Sequence, residues 1–182
     1  MSGIEGLRLA YEEFVKLPWD DSLAGPQRVW FAIYEPTQER RLRLRIDEFA
    51  AATRSAGHGW RHADLTSAFA EWMSANEYRD AYFEDPEAMA IALSKFKSFV
   101  VERVGSELMA EGIDRGTVVA VSGIGALFGL MRISELVGTV APLVRGRLLI
   151  FFPGRRDGSS YRIFDARDGW DYLAIPIEAK GG

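Results

Sequence analysis

The chain has 182 residues, 48% of them apolar and 26% charged, with a net charge of −4 and no cysteine. That is enough for one domain, residues 1–182, with a substantial core and no staple; the missing thiols exclude disulfide scaffolds, thiolate zinc sites and cysteine nucleophiles. The mild acidity gives no general attraction for nucleic acid or anionic membranes.

Glu5, Glu12 and Glu13 interrupt the opening stretch where a signal peptide needs an apolar core. No window reaches the length of a membrane span, so no membrane association and a cytoplasmic location are expected. Ile4, Leu7, Tyr11, Phe14 and Val15 fall at helical spacing, predicting an amphipathic helix over 3–16 that stops before Pro18. A Pro/Gly/Asp-rich loop follows, then RVWFAIY, an apolar run of the kind found in central strands.

Residues 37–56 are ambiguous at the start, because LRLRI alternates like a strand while Leu42, Ile46 and Phe49 fit a helix. The alanine-rich continuation and Gly57 favour a helix. A short strand is expected near Trp60 to Leu65, then a helix with Leu65, Phe69, Trp72 and Met73 on one face. Asp85 and Pro86 open a long helix, with Met89, Ala92, Leu93, Phe96, Val100 and Val104 as its stripe, a bend or early stop allowed at Gly105, and Gly112 as its end.

Thr117 to Gly154 reads as a buried strand, a glycine turn, a helix capped by Ser134, and a second buried strand, which is a crossover unit. GRRDGSS and ARDGW are too short for parallel crossovers, so Tyr161 to Phe164 and Tyr172 to Ile177 are expected to form an antiparallel meander at one edge. The expected fold is α/β: a mixed, largely parallel central sheet flanked by helices, similar to a P-loop-type fold without a Walker A motif, with a C-terminal antiparallel meander.

The turn Ser122-Gly123-Ile124-Gly125 invites a nucleotide-binding or hydrolytic reading, since a strand followed by G-x-G brings backbone N–H groups near a phosphate. Against it, the next helix starts too late, no acidic residue follows for a ribose, and no G-x-x-x-x-G-K-[ST] occurs. A tight apolar turn is the simpler reading, and no cofactor is expected. His58 and His62 stand four apart between glycines that oppose a helix, which favours loop histidines over metal ligands. Asp165, Asp168 and Asp171 suit turn formation better than a cation site, so no metal is expected.

Arg40, Arg41, Arg43 and Arg45, with Arg155 and Arg156, are the remaining charged features. They read as solvated faces, or alternatively as contacts to an acidic partner or a nucleic-acid backbone. Trp19, Trp60 and Trp170 sit in expected loops, either capping the core or anchoring an interface.

Taken in order, RVWFAIYEP, ER-x-LRLRI-x-EF with AGHGW, VVAVSGIGALFGLMRISEL, RGRLLIFFPG and YRIFDARDGWDYLAIPI resemble the BrxB family of the bacteriophage-exclusion (BREX) defence systems over residues 28–177. The resemblance implies a non-catalytic adaptor in a multi-protein complex that methylates host DNA and restricts phage. A PglZ-like protein and other BREX subunits are its implied partners, with DNA contacted only indirectly. Arg40, Arg41, Arg43, Arg45, Trp60, Arg155, Arg156 and Trp170 are the candidate contact residues.

Overall fold

The computed structural model describes residues 3–164, 166–169 and 173–181. Its core is a parallel sheet of β1 (Val29–Tyr34), β2 (Gly59–Asp64), β3 (Thr117–Ser122), β4 (Arg147–Asp157) and β7 (Ile175–Ile177), in the order β2-β3-β4-β1-β7. The apolar runs predicted as central strands, β1 and β3, are buried at every position, as is β4 from Arg147 to Gly154. A strand covered on both faces needs that continuous hydrophobicity in place of alternation.

Helices α1 (Gly3–Val15) and α2 (Glu39–Ser55) cover one face. Tyr11, Phe49, Phe151 and Trp30 pack there, with Phe49 and Phe151 edge to face at 5.0 Å. The LRLRI ambiguity resolves as helix: Leu42 and Ile46 are buried while Leu44, between them, is 77% exposed. In a strand all three would share a face.

The other face carries α3 (Ala68–Ser74), α5 (Pro86–Leu108) and α6 (Ile133–Val140). Phe31 stacks on Phe152 at 5.1 Å and α5 presents Ala92, Phe96, Val100, Val104 and Leu108 to the core. Asp85 caps α5 as its sequence predicts, its side chain accepting the Glu87 N–H at 2.9 Å. The helix runs through Gly105 and stops at Leu108, before Gly112. Gly105 faces Leu143 at a distance where an added Cβ would just touch, so packing outweighs its low propensity.

Three further features depart from the sequence reading. A short helix, α4 (Arg79–Glu84), lies between α3 and α5 where none is expected. Helix α6 begins at Ile133, with Arg132 at the cap position, so Ser134 lies inside the first turn; burial of Ile133 draws the helix start back. The third departure is at the C-terminal strands. β5 (Ser160–Ile163) and β6 (Ala166–Gly169) do continue β4 as an antiparallel meander, but β7 leaves it and pairs parallel with β1. The whole stretch between β4 and β7 acts as one crossover, long enough for a parallel return. The Tyr161 hydroxyl donates to the Ala174 carbonyl at 3.0 Å and pins the start of that final strand.

Candidate functional site

Ligands of open α/β sheets bind beyond the carboxyl ends of the strands, where neighbouring connections leave toward opposite faces. Here β1 leaves toward α2 on one face and β3 toward α6 on the other. A crevice of about 290 Å3 lies at this edge, bordered by Tyr34, Glu35, Gln38, Gly154, Arg156 and Glu178. The chain's own polar groups line it. Glu35-Pro36-Thr37-Gln38 forms a short 3-10 turn instead of a glycine loop, and the Gln38 side chain accepts the Ile4 N–H at 3.1 Å. Gln38 thereby satisfies an otherwise orphaned N–H at the start of α1. Arg156 pairs with Glu178 at 3.6 Å across the opening.

On the α1/α2 side of the same edge, alternation along the strands brings together Tyr34, His62, Asp64 and Ser122 beneath α2. The Tyr34 hydroxyl donates to Glu39, whose carboxylate also holds Arg43 at 2.9 Å. His62 is on a strand, β2, and not in a loop; its Nε2 lies 2.7 Å from Ser122 Oγ. A hydroxyl beside an imidazole is the start of a nucleophilic dyad, but catalysis needs a third group orienting the ring. Asp64 is instead engaged with the Thr66 N–H at 2.9 Å and hydroxyl at 2.6 Å. Ser122 is buried, and Gly123 (φ 77°) turns the chain so tightly that an added Cβ would meet the Thr66 nitrogen at 2.4 Å. The SGIG segment is thus a packed turn, with Ile124 and Leu127 in the core.

Burial of Asp64 pushes its carboxyl pKa up, but the hydrogen bonds from Thr66 and the charges of Arg43 and His62 outweigh that and hold it below its ordinary value. Burial lowers the His62 imidazole, against the raising pull of Asp64 and Asp47. A lowered folded pKa favours the neutral ring, so this contribution to stability is complete above the ordinary value of 6.5 and is lost as pH falls through the folded one. The melting temperature is expected to decline as the pH drops below 6.5, and His62→Gln, which keeps a partner for Ser122, should flatten that part of the profile. An unchanged slope in the variant would assign the effect elsewhere.

The predicted contact residues do not converge. Arg43 is held by Glu39, and Arg45 by Glu5 and Glu48. Arg40 and Arg41 are exposed on α2 and form no ion pair with the described residues. Arg155 and Arg156 lie at the far end of β4, opposite Arg162 and Tyr161 of β5. Trp60 packs partly buried against the α1/α2 core, and Trp170 lies outside the described residues. Asp165 and Asp171 also lie outside them, as does the side chain of Asp168.

At the opposite, amino edge, two arginines that sequence reasoning did not single out, Arg147 and Arg28, join Trp19 and His58. Buried Arg147 lies 4.9 Å from the Trp19 ring centroid and 5.9 Å from that of Trp30, and donates to the Asp20 carbonyl at 3.0 Å. Trp19 stacks on His58 at 3.6 Å, and His58 Nδ1 is 3.2 Å from the Gly116 carbonyl. Arg28 reaches the carbonyls of Asp21, Leu23, Val144 and Arg145. Trp19 therefore caps the core, and both histidines serve separate contacts. Among the described residues no group of three or more histidines and carboxylates is placed to hold a metal ion.

The fold and its carboxyl edge define a parallel-sheet α/β protein of P-loop-like organisation in which side chains stand where a phosphate loop would be. A family model for the BREX protein BrxB matches residues 64–177, more than half of the chain, and the chain belongs to that family. It is thus a component of a BREX phage-defence system. The match takes in the SGIG turn, FFPG and DARDGW, whereas RVWFAIYEP and AGHGW precede it. Comparison with curated proteins and with solved structures gives no match. Among the described residues no helix is long and apolar enough to cross a membrane.

Proposed function

We propose that the chain is a non-catalytic adaptor of its BREX complex, working in the cytoplasm by docking onto a PglZ-like subunit and helping to assemble the machinery that methylates host DNA and restricts phage. The observation that carries this reading is the connection after β1, where Glu35-Pro36-Thr37-Gln38 forms a short 3-10 turn in place of a phosphate-binding glycine loop and Gln38 is tied to the start of α1. Contact with DNA runs through the complex: Arg43, Arg45 and Arg156 are already held by carboxylates of this chain. Exposed Arg40 and Arg41 are available to a partner.

Co-expression with the other subunits of its operon is expected to co-purify the PglZ-like protein at low salt and micromolar concentration. ATP, GTP, NAD and SAM are expected to leave the melting temperature unchanged, whereas a ligand bound at a hundred times its Kd would add about 2.7 kcal/mol. Failure to co-purify, or a nucleotide-dependent shift abolished by Ser122→Ala, would defeat the adaptor reading in favour of a small-molecule site at the Ser122–Gly125 turn.

A further inference from the structure

The crossover from β2 to β3 contains more chain than the sheet requires. Helix α5 alone, with 23 residues, spans about 35 Å at 1.5 Å per residue, enough to return along a six-residue strand. Helices α3 and α4 are additional. They join the start of α5 in a small core of their own, where Tyr82 stacks on Trp72 at 6.5 Å and packs with Met73 and Ala92. Three large apolar side chains of this unit are uncovered: Tyr78, Phe83 and Ile91 are 66%, 69% and 63% exposed. Exposed aromatic and aliphatic side chains grouped on one short unit are the composition of interface anchors.

The same segment concentrates the charge of the protein. Residues 77–87 carry Glu77, Asp80, Glu84, Asp85 and Glu87 against Arg79 alone, a net −4 that equals the net charge of the entire chain. All five carboxylate residues are exposed, and Glu77, Glu84 and Glu87 form no ion pair with the described residues. Five carboxylates repel phosphate, which disfavours nucleic acid and anionic lipid, and three large apolar groups need an apolar counterpart.

We infer that the α4 unit is a docking surface for a protein segment whose apolar stripe is bordered by lysines and arginines, carried by another subunit of the defence complex. The inference rests on the adaptor reading and adds the face used and the chemistry of what covers it. Apolar contact supplies affinity, while the carboxylates set orientation and reject acidic partners.

The test places a photocrosslinker on the surface, Phe83→p-benzoylphenylalanine, in the chain co-expressed with its operon, and maps the crosslinked peptide by mass spectrometry. The expected product is a peptide of another BREX subunit with basic residues beside apolar ones. Glu77→Lys with Glu84→Lys should lower the crosslink yield about tenfold with the melting temperature retained, and Arg54→Glu with Arg115→Glu, at exposed positions outside this unit, should leave it unchanged. Crosslinks to nucleic acid, to an acidic segment or to a second copy of this chain would overturn the inference. A PglZ-like protein that co-purifies without crosslinking would also overturn it while leaving the adaptor reading in place. A crosslink to a different subunit, with no PglZ-like protein recovered, would support the surface and remove the PglZ docking. Absence of both crosslink and co-purified subunit would remove both.

Discussion

Gly154→Ala is expected to lower stability by about 3 kcal/mol, a fall of roughly 10 °C in melting temperature, from the cost of forcing extra volume into a closed space. Gly154 pairs with Ile163 where β4 passes from the parallel sheet into the meander. A Cβ at this position would stand 1.9 Å from the Arg162 carbonyl oxygen and 2.9 Å from its carbon. Both are backbone atoms and cannot rotate aside, so β4 and β5 must separate. The loss should extend to the crevice, because Gly154 and Arg156 form its wall. Gly138→Ala is the internal control: nothing lies within 4 Å of its added Cβ on α6, and the helix should gain about 0.5–1 kcal/mol. A Gly154→Ala protein melting with the wild type would show that β5 does not pack as described.

Arg147→Ala is expected to cost about 3 kcal/mol, the combined scale of a charged hydrogen bond and desolvated cation–π contacts. Arg147 is 3% exposed at the start of a central strand, between Trp19 and Trp30, and holds the Asp20 carbonyl. Burial lowers its pKa, and the nearby Arg28 charge lowers it further. A hydrophobic residue of similar length keeps contact with both indole rings, so Arg147→Met should lose clearly less than the alanine variant. The accompanying signal is tryptophan emission, which should move to the red in Arg147→Ala as Trp19 loses its cover. Equal stability for alanine and wild type would leave the aromatic cluster, not the cation, as what fixes the loop before β1.

Those two positions differ in how far the sequence reveals them. The FFPG motif reads as a strand end and so points to Gly154, but β4 runs on to Asp157, and the glycine is required by the backbone of β5, a contact that appears only once the meander is formed. Arg147 gives no local signal, because an arginine opening an apolar run reads as an exposed strand end, and its partners Trp19 and Asp20 are distant in sequence. The double-sided apolar runs of β1, β3 and β4 and the Asp85 cap were legible because they rest on local chemistry. Helix α4 was not, since six residues ending at Glu84 and followed by Asp85-Pro86 carry too little periodicity, and Tyr82 supplies its single buried position. The place of β7 could not be read either. The segment ARDGW alone is too short for a parallel return, whereas the return to β1 uses all of the chain after β4.

For the candidate site, the SGIG segment was readable as a tight apolar turn from spacing alone. The His62–Ser122 contact was not, because it depends on β2 and β3 lying in register, His62 opposite Ala120 and Asp64 opposite Ser122. The arginines were visible as a cluster, but their partners Glu5 and Glu178 come from other elements and turn several of them into internal ties.

The position of β1 has a consequence for how the protein is made. Val29–Tyr34 leaves the ribosome before every other strand, yet its two neighbours are β4 and β7, the last members of the parallel sheet to be synthesised. Helices α1 and α2 are available early to shelter one of its apolar faces, whereas the opposite face depends on α5 and α6. Until those arrive, a six-residue segment whose only polar side-chain groups are the Trp30 indole N–H and the Tyr34 hydroxyl stays without edge partners. Sheets closed by such distant pairings form slowly and leave unpaired edges open to misassembly. Nascent chains of this protein therefore carry their aggregation hazard at Val29–Tyr34, and relief comes only when synthesis has passed β4.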